Sequence, residues 1–592
     1  MSNFLNLPSP PLPADLQDIQ KRATRQEPGS GFSANIRPLR ARLTPATAHL
    51  ANPFHPRGDP AAAPNQLMVQ AFEWYIPPPS ESDPTTHWQR LKPLLPSLAH
   101  LGTTHLWIPP ACKAARPHGN GYDIYDLYDL GEFDQKGSTR TKWGSKSELV
   151  ELTEAAAAAA AKEEGQQHGI KVLFDAVLNH KTGADRKERA RATKLPDERD
   201  RTKEGEAGAK EQEVEVWTGF EFPGRTGTKG EGYSRMKWGK RHFTGVDYDA
   251  LSGESGVWRL EGKKWADDVD EELGNYDFLM FADIDHSHPE VREDLFRWIE
   301  WLGKDSGLKL GGLRMDAIKH YSFRFLKDFL KHVDEKVDEE WFIVGEYWRV
   351  DSEFLAKFVE YMDHRLALFD TQLVHNFSII SLLGEHGDLR KVFDDALVLW
   401  KPDNAVTFVV NHDTQEGQSL ETPVAPFFIP FAYALILLRA NAGLPCVFWS
   451  DLFGSYGQSA DPKHPVLMPP TTGSTAIPRM MLARKYWAYG TQYDYFDEPH
   501  CVGFTRLGHP SISGGDGLAV IMTNSWEYAT KKMYVGTEHA GEVWTDFLKW
   551  CPGQVLIDSE GWGTFFTGAR SVSVWVNDAA ESKKEWREKL GL

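Results

Sequence analysis

Ionisable side chains stand at the ends of four apolar runs, where they could carry acid–base or nucleophilic chemistry. One run ends at His180, one ends at Asp316, one continues through Glu346, and one ends in the pair His412–Asp413. An apolar run that ends in a charged group incurs a desolvation cost, which is accepted most often at functional sites. Three carboxylates and two imidazoles that converge on one face therefore predict a catalytic site rather than a set of helix caps.

The carboxylates fit glycosidic bond cleavage, which needs one ionised carboxylate and one protonated carboxylic acid. Asp316 is two residues from Arg314 on the same strand face, so we expect the cation to lower its pKa and keep it ionised. Glu346 precedes Tyr347 and Trp348 in an apolar run, so we expect burial to raise its pKa. The pattern predicts Asp316 as the nucleophile and Glu346 as the general acid.

The sequence lacks the signatures of several other classes of enzyme and binding protein. It has no GxxxxGK[ST] loop for nucleotide phosphates and no GxGxxG after a predicted strand. Its four cysteines form no CxxC pair, which excludes a disulfide framework but leaves a single bridge open. The net charge of −18 would repel nucleic acid and anionic membranes, so neither is an expected partner. No apolar run reaches the ~18 residues of a membrane span.

The elements that must position these groups are eight short apolar runs, with helix-like stretches between most of them. The runs are Leu67–Phe72, His105–Pro110, Lys171–His180, Leu310–Asp316, Trp341–Trp348, Leu366–Asp370, Ala405–Asp413 and Leu444–Asp451. Near-continuous apolar runs are typical of buried parallel strands, and eight of them alternating with helices predict an α/β fold, the (β/α)8 TIM barrel. Catalytic groups in such a barrel lie at the C-terminal ends of the strands.

The remaining segments predict further domains. The interval from His180 to Leu310 is too long for one βα connection, so we expect an inserted β-rich domain after the third strand, with its charged stretch Lys187–Lys210 as a solvated loop. Short strands with Gly-rich turns after residue 492 are typical of an antiparallel β-sandwich. The predicted division is a Pro-rich arm over 1–64, barrel over 65–180, insert over 181–282, barrel over 283–492, C-terminal β domain over 493–580 and tail over 581–592.

A second group of side chains has the chemistry of a metal site. Asn179, Asp277, Asp283 and Asp285 offer hard oxygen donors at a strand end and at the edge of the insert. Such donors suit Ca²⁺ better than a transition metal. Asp-rich loops also occur as solvated surface, so the spacing alone leaves both interpretations open.

Taken together, these segments resemble glycoside hydrolase family 13, the α-amylase family. Its short signature segments occur in order as Asp175–His180, Phe281–Asp285, Gly312–His320, Phe342–Trp348 and Phe408–Thr414. Further segments resemble the bacterial liquefying type of the family, namely Phe72–Tyr75, Gly121–Tyr122, Tyr125–Phe133, Asn275–Asp277 and Ser559–Gly563. The resemblance covers roughly residues 67–576.

The resemblance implies a role for each residue that falls on a family motif. It makes Asp316 the nucleophile, Glu346 the acid/base, and Asp413 the third carboxylate, which stabilises the transition state and helps to distort the sugar. The substrate-binding residues that it implies lie around the reacting glucose or on the leaving-group side, and they are Tyr122, His180, Arg314, Lys319 and His412.

The resemblance also implies one structural Ca²⁺ between barrel and insert. Its ligands would be Asn179, Asp277, Asp283 and the backbone carbonyl of His320. Bacterial relatives can carry an additional metal cluster, but Arg235 and Ala266 stand where two of its aspartates would be. Asp285 remains, and Asp267 and Asp268 are near enough in sequence to leave a shifted ligand open. We expect one Ca²⁺ and no second cluster.

The activity implied is retaining endo-hydrolysis of α-1,4-glucosidic bonds in starch, glycogen or maltodextrins, through a covalent glycosyl-enzyme. Two alternatives remain: an α-glucan transglycosylase that uses the same residues, and a non-catalytic sugar-binding protein on the same fold. The segment Met1–Pro8 lacks the basic and apolar regions of a signal peptide, whereas similar bacterial enzymes are usually secreted. We expect a cytoplasmic monomer that acts on an α-glucan.

Overall fold

The computed structural model describes residues 64–159, 169–201, 211–226, 230–457, 466–512, 515–580 and 583. The predicted N-terminal arm up to residue 63 and the predicted C-terminal tail, except Lys583, lie outside the described residues. The chain divides after Asn52, and every described residue belongs to the unit that spans 53–592.

The strands of the first part of the chain, up to the end of the insert, comprise barrel strands and insert strands. They are β1 Met68–Gln70, β2 His105–Trp107, β3 Lys113–Ala114, β4 Ile124–Asp126, β5 Lys171–Ala176, β6 His180–Lys181, β7 Arg186–Lys194, β8 Glu211–Gly219, β9 Phe243–Asp249, β10 Glu254–Leu260 and β11 Ala282–Ile284.

The later strands complete the barrel and form the C-terminal domain. They are β12 Leu310–Met315, β13 Phe342–Gly345, β14 Ala367–Phe369, β15 Ala405–Phe408, β16 Leu444–Phe448, β17 Gln492–Glu498, β18 Cys501–Arg506, β19 Leu518–Thr523, β20 Ala529–Tyr534, β21 Val543–Asp546, β22 Val555–Leu556, β23 Trp562–Thr567 and β24 Ser571–Asn577.

Eight parallel strands close into a barrel in the order β1, β16, β15, β14, β13, β12, β5 and β2. Each of the eight predicted apolar runs contains one of these strands, so the predicted barrel is confirmed. Seven of the eight strands are buried along at least four-fifths of their length. The exception is β12, whose first two residues are half-buried. Strands covered on both faces have no solvated side that would require alternating polar residues, which explains their continuous apolar pattern.

Helices pack around the barrel. They are α1 His87–Leu91, α2 Leu95–His100, α3 Lys146–Ala159, α4 Pro289–Lys304, α5 Phe323–Lys336, α6 Ser352–Tyr361, α7 Thr371–Leu382, α8 Leu397–Trp400, α9 Ile429–Leu438, α10 Trp449–Phe453 and α11 Ala476–Tyr486. In α4 the buried residues Val291, Leu295, Trp298 and Leu302 recur at helical spacing and place one face on the barrel. No described helix is both long and apolar enough to cross a membrane.

The insert is a six-stranded sheet in the order β6, β11, β9, β10, β7 and β8. The prediction of a solvated loop is wrong for its first part, because Arg186–Lys194 forms β7 and pairs with β8. Charges on the two strands pair across the ribbon, with Lys187 Nζ 3.0 Å from Glu215 Oε2 and Arg191 Nη2 2.9 Å from Glu211 Oε2. These pairs lie on the exposed face of the ribbon, whereas Ala190 and Ala192 on the opposite face of β7 pack against the core beside Val214 and Val216 of β8.

The C-terminal domain is β-rich and antiparallel, as expected. A six-stranded sheet has the order β17, β18, β19, β24, β21 and β22, and β20 pairs with β23 in a second sheet. Ile521 and Trp575 of the larger sheet share a core with Met533 and Phe565 of the smaller one. The residue-level domain limits stay predictions.

Candidate active site

Two adjacent barrel strands deliver the first two predicted carboxylates. Asp316 and Glu346 directly follow β12 and β13, which pair in register at Met315 and Gly345. The amide of Asp316 donates to the Ala176 carbonyl at 3.1 Å, and the amide of Glu346 donates to the Met315 carbonyl at 2.9 Å. These bonds continue the barrel ladder, so both backbones are fixed where their side chains leave the strands.

The buried guanidinium of Arg314 lies at the centre of this group. Arg314 is the register partner of Asp175 on β5, and its Nη1 donates to Asp175 Oδ1 at 2.8 Å. The same nitrogen donates to Asp316 Oδ1 at 2.6 Å, and Nη2 donates to Glu346 Oε2 at 2.9 Å. One cation therefore holds three carboxylates, two of which are the predicted nucleophile and acid/base.

Ala317 adds a backbone donor to Glu346. Its φ of 52° lies in the left-handed region, which non-glycine residues adopt at a cost of about 1–3 kcal/mol. This turn aims the Ala317 amide at Glu346 Oε2, at 3.0 Å. Since Arg314 donates to the same oxygen, Oε1 is the Glu346 oxygen left for a substrate.

Burial dominates the acid–base properties of the carboxylates. It raises the pKa of Asp316 to about 6, with Arg314 acting in the opposite direction and the charge of Asp175 adding to the rise. Arg314 lowers this pKa, as expected, but the cost of desolvation exceeds its attraction, so the pKa of Asp316 is raised overall. Burial likewise raises the pKa of Glu346, as expected, and that of Asp413, where the charge of Glu346 contributes further.

An aromatic stack adjoins the carboxylates. The ring of Tyr122 lies parallel to the imidazole of His412, with centroids 5.0 Å apart, and Trp74 stacks on Tyr122 at 5.9 Å. Gln70 Nε2 donates to His412 Nδ1 at 3.0 Å, and His412 Nε2 lies 3.1 Å from Asp413 Oδ2. Burial lowers the pKa of His412 well below its usual value, so the ring is neutral. Asp413 thus belongs to the same cluster.

His180 is also held as a neutral ring at the junction of barrel and insert. Burial lowers its pKa to about 4. Its Nε2 donates to the Tyr122 carbonyl at 2.8 Å, which ties the third strand end to the loop that carries the stacked tyrosine. Lys319 lies on the insert side of the site, where its Nζ donates to Glu272 Oε2 at 2.7 Å and to the Trp348 carbonyl at 3.0 Å.

Two side chains that organise the site, Asp175 and Gln70, have no role predicted from the sequence. Asp175 accepts from Tyr122 Oη at 2.8 Å and from Trp107 Nε1 at 2.9 Å, besides its bond from Arg314. Gln70 holds His412 from the end of β1. The available signal was polarity inside apolar runs, because Asp175 and Gln70 are both fully or almost fully buried.

The predicted metal ligands meet where β11 returns to the barrel. Asp283 of β11 is the register partner of His180, next to Asn179. The buried atoms Asn179 Oδ1 and Asp283 Oδ2 have no hydrogen-bond partner. Burial raises the pKa of Asp277 to about 7, and burial together with the charge of Asp277 raises that of Asp283 well above its usual value. His320 Nδ1 lies 2.9 Å from the Tyr276 carbonyl, so its ring faces the same segment.

The other aspartates that the sequence offered as metal ligands, Asp285, Asp267 and Asp268, have cationic partners. Asp285 Oδ2 is 2.6 Å from Lys263 Nζ, and Asp268 Oδ2 is 3.1 Å from Arg324 Nε. Asp267 also pairs with Arg324. Among the described residues, no three His, Cys, Asp or Glu side chains are grouped to hold a metal ion, and the predicted set contains two carboxylates with an amide and a carbonyl oxygen.

Comparison with known proteins agrees with this geometry. The family model described as alpha amylase, catalytic domain, matches residues 80–458, and the model described as alpha-amylase C-terminal matches residues 518–576. The chain belongs to the α-amylase family. It is therefore a glycoside hydrolase, and the resemblance seen in the motifs is confirmed.

Curated relatives match over most of their length. The α-amylase of Bacillus licheniformis is 41% identical over 517 residues, which cover 87% of this chain and 94% of the relative. The cytoplasmic α-amylase of Escherichia coli (strain K12) is 36% identical over 520 residues, covering 86% of this chain and 99% of the relative.

Solved structures share the fold. A crystal structure of α-amylase from Geobacillus thermoleovorans, complexed with acarbose, superposes with a TM-score of 0.55 at 16% identity and covers 86% of this chain and 97% of that one. A similarity at this identity supports the fold alone.

Proposed function

We propose that this member of the α-amylase family is a retaining endo-hydrolase of α-1,4-glucan. The observation that carries the proposal is the bridge from one Arg314 guanidinium to both Asp316 and Glu346. Retaining glycosidases place their two carboxyl groups about 5–5.5 Å apart, so that one can attack the carbon from which the other expels the leaving group. A shared guanidinium favours that short separation.

The first step forms a covalent glycosyl-enzyme. Glu346 donates its proton to the glycosidic oxygen while Asp316 attacks C1, and the bond from C1 to that oxygen breaks. Burial raises the pKa of Glu346, which supports its protonated starting state. Asp316 accepts one hydrogen bond, from Arg314, and this orients the attacking carboxylate.

The second step releases the sugar. Glu346, now ionised, takes a proton from water as the water oxygen attacks C1, and the bond to Asp316 breaks. Asp413 and the neutral ring of His412 would contact hydroxyl groups of the same sugar, and Tyr122 would lie under its ring. The parallel stacking of Tyr122, His412 and Trp74 supports this assignment, because a fixed aromatic face offers a flat apolar surface.

The predicted calcium site fits the residues present. Two buried oxygens without donors and two buried carboxylates with raised pKa values are what a hard cation stabilises. Asn179, Asp277, Asp283 and the His320 carbonyl would hold it, and when bound it would neutralise these carboxylates. Because Asp285 pairs with Lys263 and Asp268 with Arg324, we propose one ion and no second cluster.

We further propose a cytoplasmic monomer. All four cysteines are free and buried, as in proteins of reducing compartments, and one similar protein is named a cytoplasmic α-amylase. The net charge of −18 opposes association with nucleic acid and with a second copy.

Product analysis tests the proposed reaction. Digestion of maltoheptaose and soluble starch should give shorter maltooligosaccharides, with internal cleavage of starch before small sugars accumulate. Oligomers longer than maltoheptaose as main products would instead establish a transglycosylase. Asp316→Asn should remove turnover while leaving glucan binding intact, and unchanged weak activity in that variant would favour a non-catalytic binding protein.

A further inference from the structure

The turn between β19 and β20 exposes two aromatic side chains. Trp526 is 65% exposed and Tyr528 is 58% exposed. Tryptophan is highly buried on average in folded proteins, and exposed apolar groups placed together mark interaction sites more often than chance. Neither residue lies in the group of side chains that surrounds Arg314, so the active site does not account for them.

The turn is fixed at its first two residues, Asn524 and Ser525. Asn524 Nδ2 donates to the carbonyls of Gly384 and Gly387, at 2.8 and 2.7 Å, which ties the turn to the segment after α7. The Ser525 carbonyl accepts from the Arg570 amide at 2.8 Å. The exposed aromatic residues therefore stand on an anchored backbone.

The ring of Trp526 is itself held in one orientation. The guanidinium carbon of Arg570 lies 4.3 Å from the centre of the Trp526 ring and 3.8 Å from that of Phe427. Arg570 is thus stacked between the two rings, in the cation–π geometry that stabilises such contacts. One face of Trp526 is covered and its large exposed fraction leaves the rest of the ring for a ligand.

Tyr528 is supported in a similar way. Its ring centroid is 5.8 Å from that of Phe566 on β23, and it directly precedes β20. Two exposed rings that are each held by a neighbouring side chain, and that stand one residue apart on the same turn, lose little side-chain freedom when a ligand binds. We call Trp526 and Tyr528 the aromatic platform.

The chemistry of the platform favours an uncharged ligand with flat apolar faces. A second copy of this chain would bring a net charge of −18 against −18, whereas a neutral polysaccharide meets no such repulsion. The C–H faces of glucose rings suit aromatic stacking, and tryptophan and tyrosine also offer an N–H and an O–H to sugar hydroxyls. A polymeric substrate is long enough to be held at one place while it is cleaved at another.

We propose that the aromatic platform is a second glucan-binding site, which holds polymeric substrate outside the active site. The choice of ligand rests on the proposed function. The platform would raise affinity for polymers without changing the cleavage of short oligosaccharides, because a short chain in the active site does not depend on it.

The double variant W526A/Y528A tests the proposal. Retardation of the full-length protein in native gels that contain glycogen should weaken, with the apparent dissociation constant rising about tenfold. The kcat/KM of W526A/Y528A on maltoheptaose should stay within about twofold of that of the unchanged protein, a difference of roughly 0.4 kcal/mol. Tyr361→Ala is the matched control, since it removes another exposed aromatic side chain, on α6, and should leave the retardation unchanged.

Several outcomes would overturn the proposal. Unchanged retardation of W526A/Y528A would do so, as would an equal loss in the Tyr361→Ala control. A shift from dimer to monomer in W526A/Y528A, measured by light scattering, would identify the platform as a self-association surface instead. If the double variant melts early, Trp526→Phe with Tyr528→Phe keeps both rings and should restore binding. Failure of the unchanged protein to cleave maltoheptaose would reject the proposed function, while glycogen retardation would still test the platform.

Discussion

Arg314 and Asp316 lie two residues apart at the end of β12, and Arg314 Nη1 donates to Asp316 Oδ1 at 2.6 Å. Because side chains two apart on a strand share a face, the strand itself sets the direction of the Asp316 side chain. The same guanidinium reaches Asp175 on one neighbouring strand and Glu346 after the other. The barrel register thus holds Asp316 and Glu346, the proposed catalytic pair, through one buried cation.

Arg314→Lys should keep the positive charge but lose the fork that bridges the carboxylates. We expect kcat/KM on maltoheptaose to fall by about 10²–10³-fold, the range found when a positioned hydrogen-bond donor is removed from a charged site. The measurement is steady-state hydrolysis, with the melting temperature as a check on folding. A loss of kcat/KM below fivefold would show that a positive charge at this position is sufficient for activity without the guanidinium fork.

Asp175→Asn should move the acid limb of the pH profile to lower pH. Asp175 adds to the rise of the Asp316 pKa to about 6, so removing that negative charge favours the ionised nucleophile and lowers this pKa. The acid limb of kcat/KM reports on the free enzyme and should follow. Tyr122→Phe removes only a hydrogen bond to Asp175 and is the control. If the acid limb of Asp175→Asn stays in place or moves to higher pH, the proposed effect of the Asp175 charge on the Asp316 pKa is wrong.

Glu346→Gln should separate the roles of the two carboxylates. We expect starch hydrolysis to fall by more than about 10³-fold, because the glycosidic oxygen can no longer be protonated. A maltosyl fluoride needs no proton for its leaving group, so the first step should proceed and a glycosyl-enzyme should accumulate. Intact-protein mass spectrometry detects the added sugar. Asp316→Asn should show none, and the opposite pattern would exchange the assignments.

Removal of the predicted calcium should destabilise the fold through Asn179 and its neighbours. Calcium at a hundred times its dissociation constant should add about 2.7 kcal/mol to the stability of the unchanged protein. Asn179→Ala should lose this gain, because its Oδ1 has no other partner. Asp285→Asn should keep it, since Asp285 pairs with Lys263. A calorimetric stoichiometry of two ions per chain would reject the single site.

The barrel could be predicted from sequence because its strands are buried on both faces. His105–Trp107 and Leu444–Phe448 have no polar alternation to obscure them. The ribbon strand Arg186–Lys194 could not be predicted in this way, since only Ala190 and Ala192 mark its buried face and its charged face pairs with a strand that follows it by many residues. The spacing of apolar residues along one strand indicates which side chains are buried. It gives no information about charged partners on another strand.

The candidate site, like the fold, could be predicted only in part. Motif residues such as Asp316 and Glu346 stand at predictable strand ends, and they meet because β12 and β13 are neighbouring strands in register. The direction of the Asp316 pKa could not be predicted from Arg314 alone, because the extent of burial depends on residues from other strands. Asp175 and Gln70 likewise gain their roles from register partners and cross-barrel contacts rather than from a spacing.

The stereochemistry of the first product tests the central claim most directly. Proton NMR can follow the anomeric signals during the first minutes of maltoheptaose hydrolysis, before mutarotation mixes them. Attack by Asp316 followed by water inverts C1 twice, so the account predicts that the new reducing ends appear as the α-anomer. Initial release of the β-anomer would mean direct attack by water and would contradict the proposed glycosyl-enzyme on Asp316.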